Sequence, residues 1–255
     1  MKISAVIITG NEERNIGRCL ASLQDVADDI VVVDSGSTDK TKEISEQYRT
    51  RFFSQEWLGY AGQKNYANSL AENDMILSLD ADETLSGELK ASILEIKRRD
   101  EQEKVAYSIN RLNNFYGNWI RHSGIYPDVK IRLFNRKFAA WNNQKVHETI
   151  QLQEDTKIIY LKGYLLHYTC YTIEEYVAQI NKFSSLAAEE YYEQGKKISY
   201  FGLIVRYLWR FNRDFIFRGG FLDGFAGYTV CKLNALATFL KYTKLKKLYK
   251  SISSN

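Results

Sequence analysis

Short apolar runs alternate with stretches of helical spacing through the first hundred residues, and this alternation constrains the fold more than any other feature. Ser4 to Thr9 is a β-branched run closed by Gly10-Asn11, after which Ile16, Cys19, Leu20 and Leu23 recur at helical spacing. Asp29 to Asp34, built around Ile30-Val-Val-Val33, repeats the pattern: a turn at Ser35-Gly36-Ser37, then a helix with Ile44 and Tyr48 on its inner side. Arg51 to Ser54 is a third, weaker strand. Asp74 to Leu79 is a fourth, ending at Asp80-Ala81-Asp82-Glu83, with Ser86 placed to cap the next helix. Runs apolar on both faces are strands buried on both sides, and strand–helix alternation predicts a parallel sheet with crossover helices. The polar clusters fall just beyond the strands' carboxyl ends, where open α/β sheets bind ligands.

Beyond Lys104 the pattern loosens into strands at Val105 to Arg111, Lys130 to Phe134, Glu148 to Leu152 and Lys157 to Tyr168. Thr172 and Glu175 form a T-x-x-E capping box, and Gly195 is a fitting stop for the helix they open. The single proline, Pro127, marks a loop in Tyr126-Pro127-Asp128. Charge supplies the only domain boundary. The 35 Lys and Arg against 31 Asp and Glu sum to +4, yet from Lys196 onward 12 basic residues face 2 acidic ones. The chain therefore divides into an acidic body, residues 1–195, and a basic extension, residues 196–255. No apolar run approaches the roughly 20 residues of a spanning helix, and the N-terminal run is too short for a signal peptide. Cys19, Cys170 and Cys231 are far apart, without a metal or redox spacing, and read as buried thiols in a reducing cytoplasm.

Asp80-Ala81-Asp82, at the end of a buried strand, carries the strongest chemical signal. Two carboxylates one residue apart repel each other, a cost that a hard divalent cation would offset, while one of them can accept from a ribose. Thr9-Gly10-Asn11-Glu12 and Asp34-Ser-Gly-Ser-Thr-Asp39 form a polar rim able to hold a nucleoside, although Asn11 and Ser37 to Asp39 are also ordinary turn and cap residues. The dinucleotide fingerprint G-x-G-x-x-G is absent. Lys64 reads equally as a solvated helix residue and His167, within Tyr164-Leu-Leu-His-Tyr168, as a core histidine, while Arg132 is either an ion-pair partner or, with Arg136, a screen for diphosphate or acceptor phosphates.

The runs Val6-Ile-Ile-Thr-Gly-Asn-Glu-Glu-Arg-Asn15, Val32-Val-Asp-Ser-Gly-Ser-Thr-Asp39, Gly62-Gln-Lys-Asn65 and Leu79-Asp-Ala-Asp-Glu83 together resemble glycosyltransferase family 2. With Tyr126-Pro-Asp128, Arg132-Leu-Phe134 and Val146-His-Glu148, the chain is similar to bacterial enzymes that add a β-linked sugar to the lipopolysaccharide core. The resemblance implies a GT-A fold, an α/β Rossmann-like, mostly parallel sheet flanked by helices, and an inverting hexosyl transfer from a nucleotide sugar, a UDP-sugar by family habit. It implies Mg²⁺ or Mn²⁺ as cofactor. Carried over by position, it places Thr9, Asn11, Glu12 and Asp34 around the nucleoside, Lys64 near it or the diphosphate, and Asp80 toward the ribose. Asp82 and His167 would hold the metal. Glu148 would be the base that deprotonates the acceptor, with Asp128 as its alternative and His147 beside it.

The extension interleaves Tyr200, Phe201, Trp209, Phe215, Phe217 and Phe221 with Arg206, Arg210, Arg213 and Arg218, and Lys241 to Lys250 holds five lysines. Such a helical surface suits an anionic membrane face, rings at headgroup depth and cations on phosphates, or, for Phe221-Leu-Asp-Gly-Phe225 equally, a helical cap packed on the catalytic core or a second subunit. The family's lipid-linked glycan acceptors fit this placement, on the cytoplasmic face of a bacterial inner membrane. Nucleic acid is excluded as a partner, since the carboxylate cluster would repel it. Two other functions compete: a polyprenyl-phosphate sugar transferase, and a non-catalytic nucleotide-sugar-binding regulator.

Overall fold

The computed structural model describes residues 1–99, 104–142 and 149–252. The early alternation is present as read: β1 (Ile3–Thr9), α1 (Ile16–Leu23), β2 (Asp29–Asp34), α2 (Thr41–Glu46), β3 (Arg51–Ser54), α3 (Tyr60–Leu70), β4 (Met75–Asp80), β5 (Glu83–Leu85) and α4 (Gly87–Arg99). Strand-rich chain follows: β6 (Val105–Phe115), β7 (Asn118–Ile120), β8 (Asp128–Asn135), β9 (Ala139–Trp141), β10 (Ile150–Leu152) and β11 (Lys157–Cys170). The remainder is helical: α5 (Ile173–Glu193), α6 (Tyr200–Asn212), a π-helical turn at Arg213–Phe217, a 3₁₀ turn at Gly220–Asp223, and α7 (Gly224–Ile252).

Among the described residues the main sheet runs β3-β2-β1-β4-β8-β6-β11-β5, with β7 on β6. Pairing is parallel from β3 to β4, where helices cross over, and antiparallel where β8 meets β4, β6 meets β8 and β5 meets β11. The sheet is thus the expected α/β layer in its parallel half and antiparallel in these pairings beyond it, because the chain after α4 returns through loops and strands instead of helices.

By compactness the chain forms two units, Met1–Arg111 with Asp128–His167, and Leu112–Pro127 with Tyr168–Asn255. In the first, β1 is buried along its whole length, and its two-residue period sends alternate side chains into separate cores. Ile3, Ala5 and Ile7 join Leu20 and Leu23 of α1 and Leu89 and Ile93 of α4; Val6 and Ile8 join Val31, Val33 and Ala67. Each fully buried Leu or Ile here stabilises by about 1.5–3 kcal/mol. Ser86 caps α4 as expected, accepting from Leu89 N (3.2 Å) and also from Tyr164 N (2.9 Å). Gly163 is the glycine this packing requires. Its φ is +94°, and a β-carbon there would lie 2.3 Å from the Leu89 backbone nitrogen.

In the second unit, α5 begins and ends where the sequence says. Thr172 Oγ1 accepts from Glu175 N (3.1 Å), and Glu175 Oε2 accepts from Tyr171 N (2.7 Å). Gly195, at φ +68°, closes a Schellman turn in which Gly195 N and Lys196 N donate to Tyr192 O and Tyr191 O. The charge step at Gly195 is therefore a helix end inside this unit. Helix α5 packs on α7: Tyr176 and Ile180 share a core with Val230, the Tyr176 hydroxyl donates to Asn234 Oδ1 (2.8 Å), and Lys244 Nζ donates to Ser184 and Ser185 Oγ (2.8 Å each). All three cysteines are buried and free.

Helix α6 departs from the usual amphipathic arrangement, in which the apolar stripe faces inward. Leu203 is its one buried residue, while Phe201, Ile204, Val205, Leu208 and Trp209, a single stripe by helical spacing, are exposed. Phe217, Phe221 and Phe225 continue the apolar surface, Phe225 at 80% exposure.

Candidate active site

Three adjacent parallel strands deliver the acidic residues. In register, Thr9 of β1 lies opposite Asp34 of β2, and Ile8 lies opposite Asp80 of β4, so Thr9, Asp34 and Asp80 share one carboxyl edge. The loops beyond β1 and β2 are stitched together by the residues that sequence alone left as turn formers. Asn11, at φ +57°, accepts at Oδ1 from Thr38 N (2.9 Å), and its own N–H donates to Ser37 Oγ (2.7 Å). Asp34 accepts from Gly36 N (3.0 Å), Ser37 N (2.8 Å) and the Ser37 hydroxyl, which holds the tight turn that Gly36 makes at φ +87°. Glu12 N donates to Thr41 Oγ1 (2.8 Å), and Glu12 accepts from Asn15 Nδ2 (2.7 Å). The Thr9 hydroxyl is buried at this edge with no hydrogen-bond partner among the described residues.

Asp80 and Asp82 have unlike surroundings. Asp80 Oδ1 is 2.9 Å from Lys64 Nζ, and Asp80 Oδ2 accepts from Arg132 Nη2 at 2.9 Å. Burial would raise the Asp80 carboxyl, but the two cations prevail and hold it far below the usual carboxylate range. Lys64, at 3% exposure, is not a solvated helix residue; its ammonium also sits 4.4 Å from the Trp141 ring centroid. Arg132 is the ion-pair partner that its sequence position allowed. At 4% exposure it donates to Glu83 Oε1 (2.7 Å) as well as to Asp80, and although burial works against its charge, these two carboxylates raise its basicity.

Asp82 is free of this cationic cage. Its Oδ2 lies 3.1 Å from His167 Nε2, carried in by β11, whose register sets His167 against Glu83. His167 is therefore not a core histidine. Burial raises the Glu12 carboxyl, helped by the nearby charges of Asp82, Asp39 and Asp80 and opposed by the Asn15 hydrogen bond.

Asp128 is engaged elsewhere, 2.8 Å from Arg111 and 3.0 Å from Lys130; burial opposes, but these cations keep its carboxyl low. Arg136 binds Asp74 and donates to Asn68 O (2.8 Å) and Ala71 O (2.9 Å), closing the end of α3. Glu148 and His147 lie outside the described residues.

Sequence reasoning did not single out Glu83, Arg111, Asn65 or Trp141. Glu83 is fully buried between Arg132 and Arg111 (3.3 Å), and Asn65 exchanges two hydrogen bonds with the Trp141 backbone (2.9 and 3.0 Å), fixing the wall beside Lys64. A charged residue inside a strand, as Arg111 is in β6, was the available signal.

The fold and site define an α/β protein with a carboxylate-rich ligand edge at the ends of its parallel strands. The model of "Glycosyl transferase family 2" matches residues 4–163. A Rickettsia typhi protein named as an uncharacterized glycosyltransferase is 37% identical over 97% of this chain and 87% of its own length. The lipopolysaccharide core biosynthesis glycosyltransferase LpsC of Rhizobium meliloti is 31% identical over 96% of this chain and 92% of its own. Among solved structures, S. aureus TarS 1–349 in complex with UDP-GlcNAc has a TM-score of 0.47 at 18% identity, covering 98% of this chain and 92% of that one. Glucosyl-3-phosphoglycerate synthase from Mycobacterium tuberculosis, with Mn²⁺ and UDP, has a TM-score of 0.36 at 20% identity over 44% of each chain. The chain belongs to glycosyl transferase family 2 and is a glycosyltransferase.

Proposed function

We propose that this glycosyltransferase inverts the anomeric centre of a UDP-sugar while transferring it to a lipid-linked glycan of the lipopolysaccharide core, at the cytoplasmic face of the inner membrane. The observation that carries the donor half is the division of labour between Asp80, neutralised by Lys64 and Arg132, and Asp82, paired with His167. Among the described residues no three His, Cys, Asp or Glu side chains form a metal cage. Mg²⁺ and Mn²⁺ sites that share substrate phosphates need only one or two protein ligands, and Asp82 with His167 suits that pattern. A divalent ion bound there would take up charge developing on the leaving diphosphate.

The chain's own residues have distinct tasks in this reading. Thr9 offers a buried hydroxyl, unpartnered among the described residues, to the nucleoside beside Asp34, and Asp80, held ionised and oriented by two cations, accepts from the ribose. Glu148 accepts the proton of the acceptor hydroxyl as it attacks the anomeric carbon. Asp128 suits that task poorly, since its pairing with Arg111 and Lys130 lowers its basicity. The LpsC relative supports the acceptor class. Membrane docking is supported by the outward apolar stripe of α6, a patch of the kind that marks an interaction surface. No helix among the described residues is long and apolar enough to cross a membrane.

A thermal-shift panel of nucleotide sugars with and without Mn²⁺ tests the donor site. UDP-sugars should raise the melting temperature in a metal-dependent way, and Asp82→Ala should remove the metal dependence. A shift identical with and without Mn²⁺ would refute the assignment of Asp82 and His167.

A further inference from the structure

The exposed surface of α6 continues into an open groove of about 740 Å³ between α6, the segment joining it to α5, and the last turns of α7. That volume is in the range of ligand sites, roughly 300–1,000 Å³. The groove is amphipathic. Leu203 and Ile204 of α6 and Phe239 and Thr243 of α7 line it, and Lys246, Lys247 and Lys250 follow Thr243 at helical spacing along the same face of α7. Lys197 adds a fourth cation, and among the described residues no acidic side chain lines the groove.

Several basic residues of the extension outside the groove are engaged within the helical unit. Asp214, fully buried in the π-helical turn, gathers Arg210 (2.5 Å), Arg213 (2.8 Å) and Arg218 (3.6 Å). Lys244 donates to Asn181 and the serines of α5, and Lys241 lies over the rings of Tyr191 and Tyr242. Three of the four arginines expected to meet lipid phosphates thus serve the fold. The lysines of the groove stand beside apolar lining, Lys246 over the Tyr200 ring and bonded to Ile198 O, and Lys197 over the Tyr249 ring.

An apolar trough that carries ammonium groups matches an amphiphile with an acyl chain and a phosphate headgroup. We infer that the groove binds one anionic glycerophospholipid of the bilayer, an acyl chain between α6 and α7 and the phosphate among Lys197, Lys246, Lys247 and Lys250. This inference rests on the membrane-docking reading above and adds a defined lipid site to it.

The test is calorimetric titration of the full chain with dihexanoyl phosphatidylglycerol below its micelle concentration, run beside co-sedimentation with phosphatidylglycerol and phosphatidylcholine vesicles. Saturable binding of the monomeric anionic lipid is expected, with the phosphatidylcholine analogue about tenfold weaker. Thr243→Trp and Ile204→Trp place indole rings in the groove from exposed helical positions, and either should abolish that binding while circular dichroism stays unchanged. Lys247→Glu with Lys250→Glu should erase the headgroup preference. No saturable binding by the wild type, or undiminished binding by both Trp variants, overturns the groove site. A dimer in solution that Thr243→Trp dissociates would put a second copy there and also overturn it. Failure of the wild type to sediment with either vesicle sinks the membrane-docking reading separately, because the monomer titration does not need a bilayer.

Discussion

Replacing Arg132 with methionine probes the electrostatic centre of the site. The guanidinium is almost wholly buried and contacts Glu83 at 2.7 Å and Asp80 at 2.9 Å. Removing one member of a buried ion network leaves charge without compensation and costs about 3–5 kcal/mol. Each carboxylate keeps one other cation here, Arg111 at 3.3 Å from Glu83 and Lys64 at 2.9 Å from Asp80, which puts Arg132→Met at the low end, about 3 kcal/mol. For a chain of this size that corresponds to a fall of roughly 6–12 °C in melting temperature. Urea unfolding followed by circular dichroism reads the same quantity, and Arg132→Met combined with Glu83→Gln should cost less than the two single variants summed. Acid titration adds an independent check. The Asp80 pKa is lower in the folded chain than in the unfolded one, so its stabilisation is complete above about pH 4 and is lost as pH falls through the depressed folded value. Without Arg132 the folded pKa rises, and the acid limb of the stability curve should move to higher pH. A loss below about 1 kcal/mol together with an unmoved acid limb would refute the view that this arginine holds Asp80.

Glu12 has the opposite sign. Its raised folded pKa favours folding below the ordinary glutamate range and loses that contribution as pH rises through the folded value, so Glu12→Gln should stabilise the metal-free protein at pH 7 in a thermal melt. Gly163→Ala should cost at least about 2 kcal/mol in urea, because it adds a left-handed strain to an overlap with the Leu89 backbone. In a donor-turnover assay with acceptor, Glu148→Gln should lose about 10²-fold or more, whereas Asp128→Asn should change turnover far less. Retained turnover in Glu148→Gln would point instead to an acceptor phosphate that is already ionised, as in a polyprenyl-phosphate sugar transferase.

Local chemistry in the sequence determined much of this molecule. The strands β1 and β2 follow from β-branched runs and β4 from an apolar one, the ends of α5 from a capping box and a left-handed glycine, and the polar motifs' place at one sheet edge from parallel topology alone. These features depend on neighbours within a turn or a strand, so residue order suffices to read them. The rest required residues remote in sequence to meet. Lys64 and Arg132 converge on Asp80 from α3 and β8, which decides that this carboxylate is neutralised while Asp82, two residues on, is left to His167. The apolar stripe of α6 was plain in its spacing, but a period of 3.6 residues says only that a helix has an apolar face. That this face points outward, beside a lysine-lined groove, is set by how α5, α6 and α7 pack, since burial belongs to the assembled helices and to no one of them.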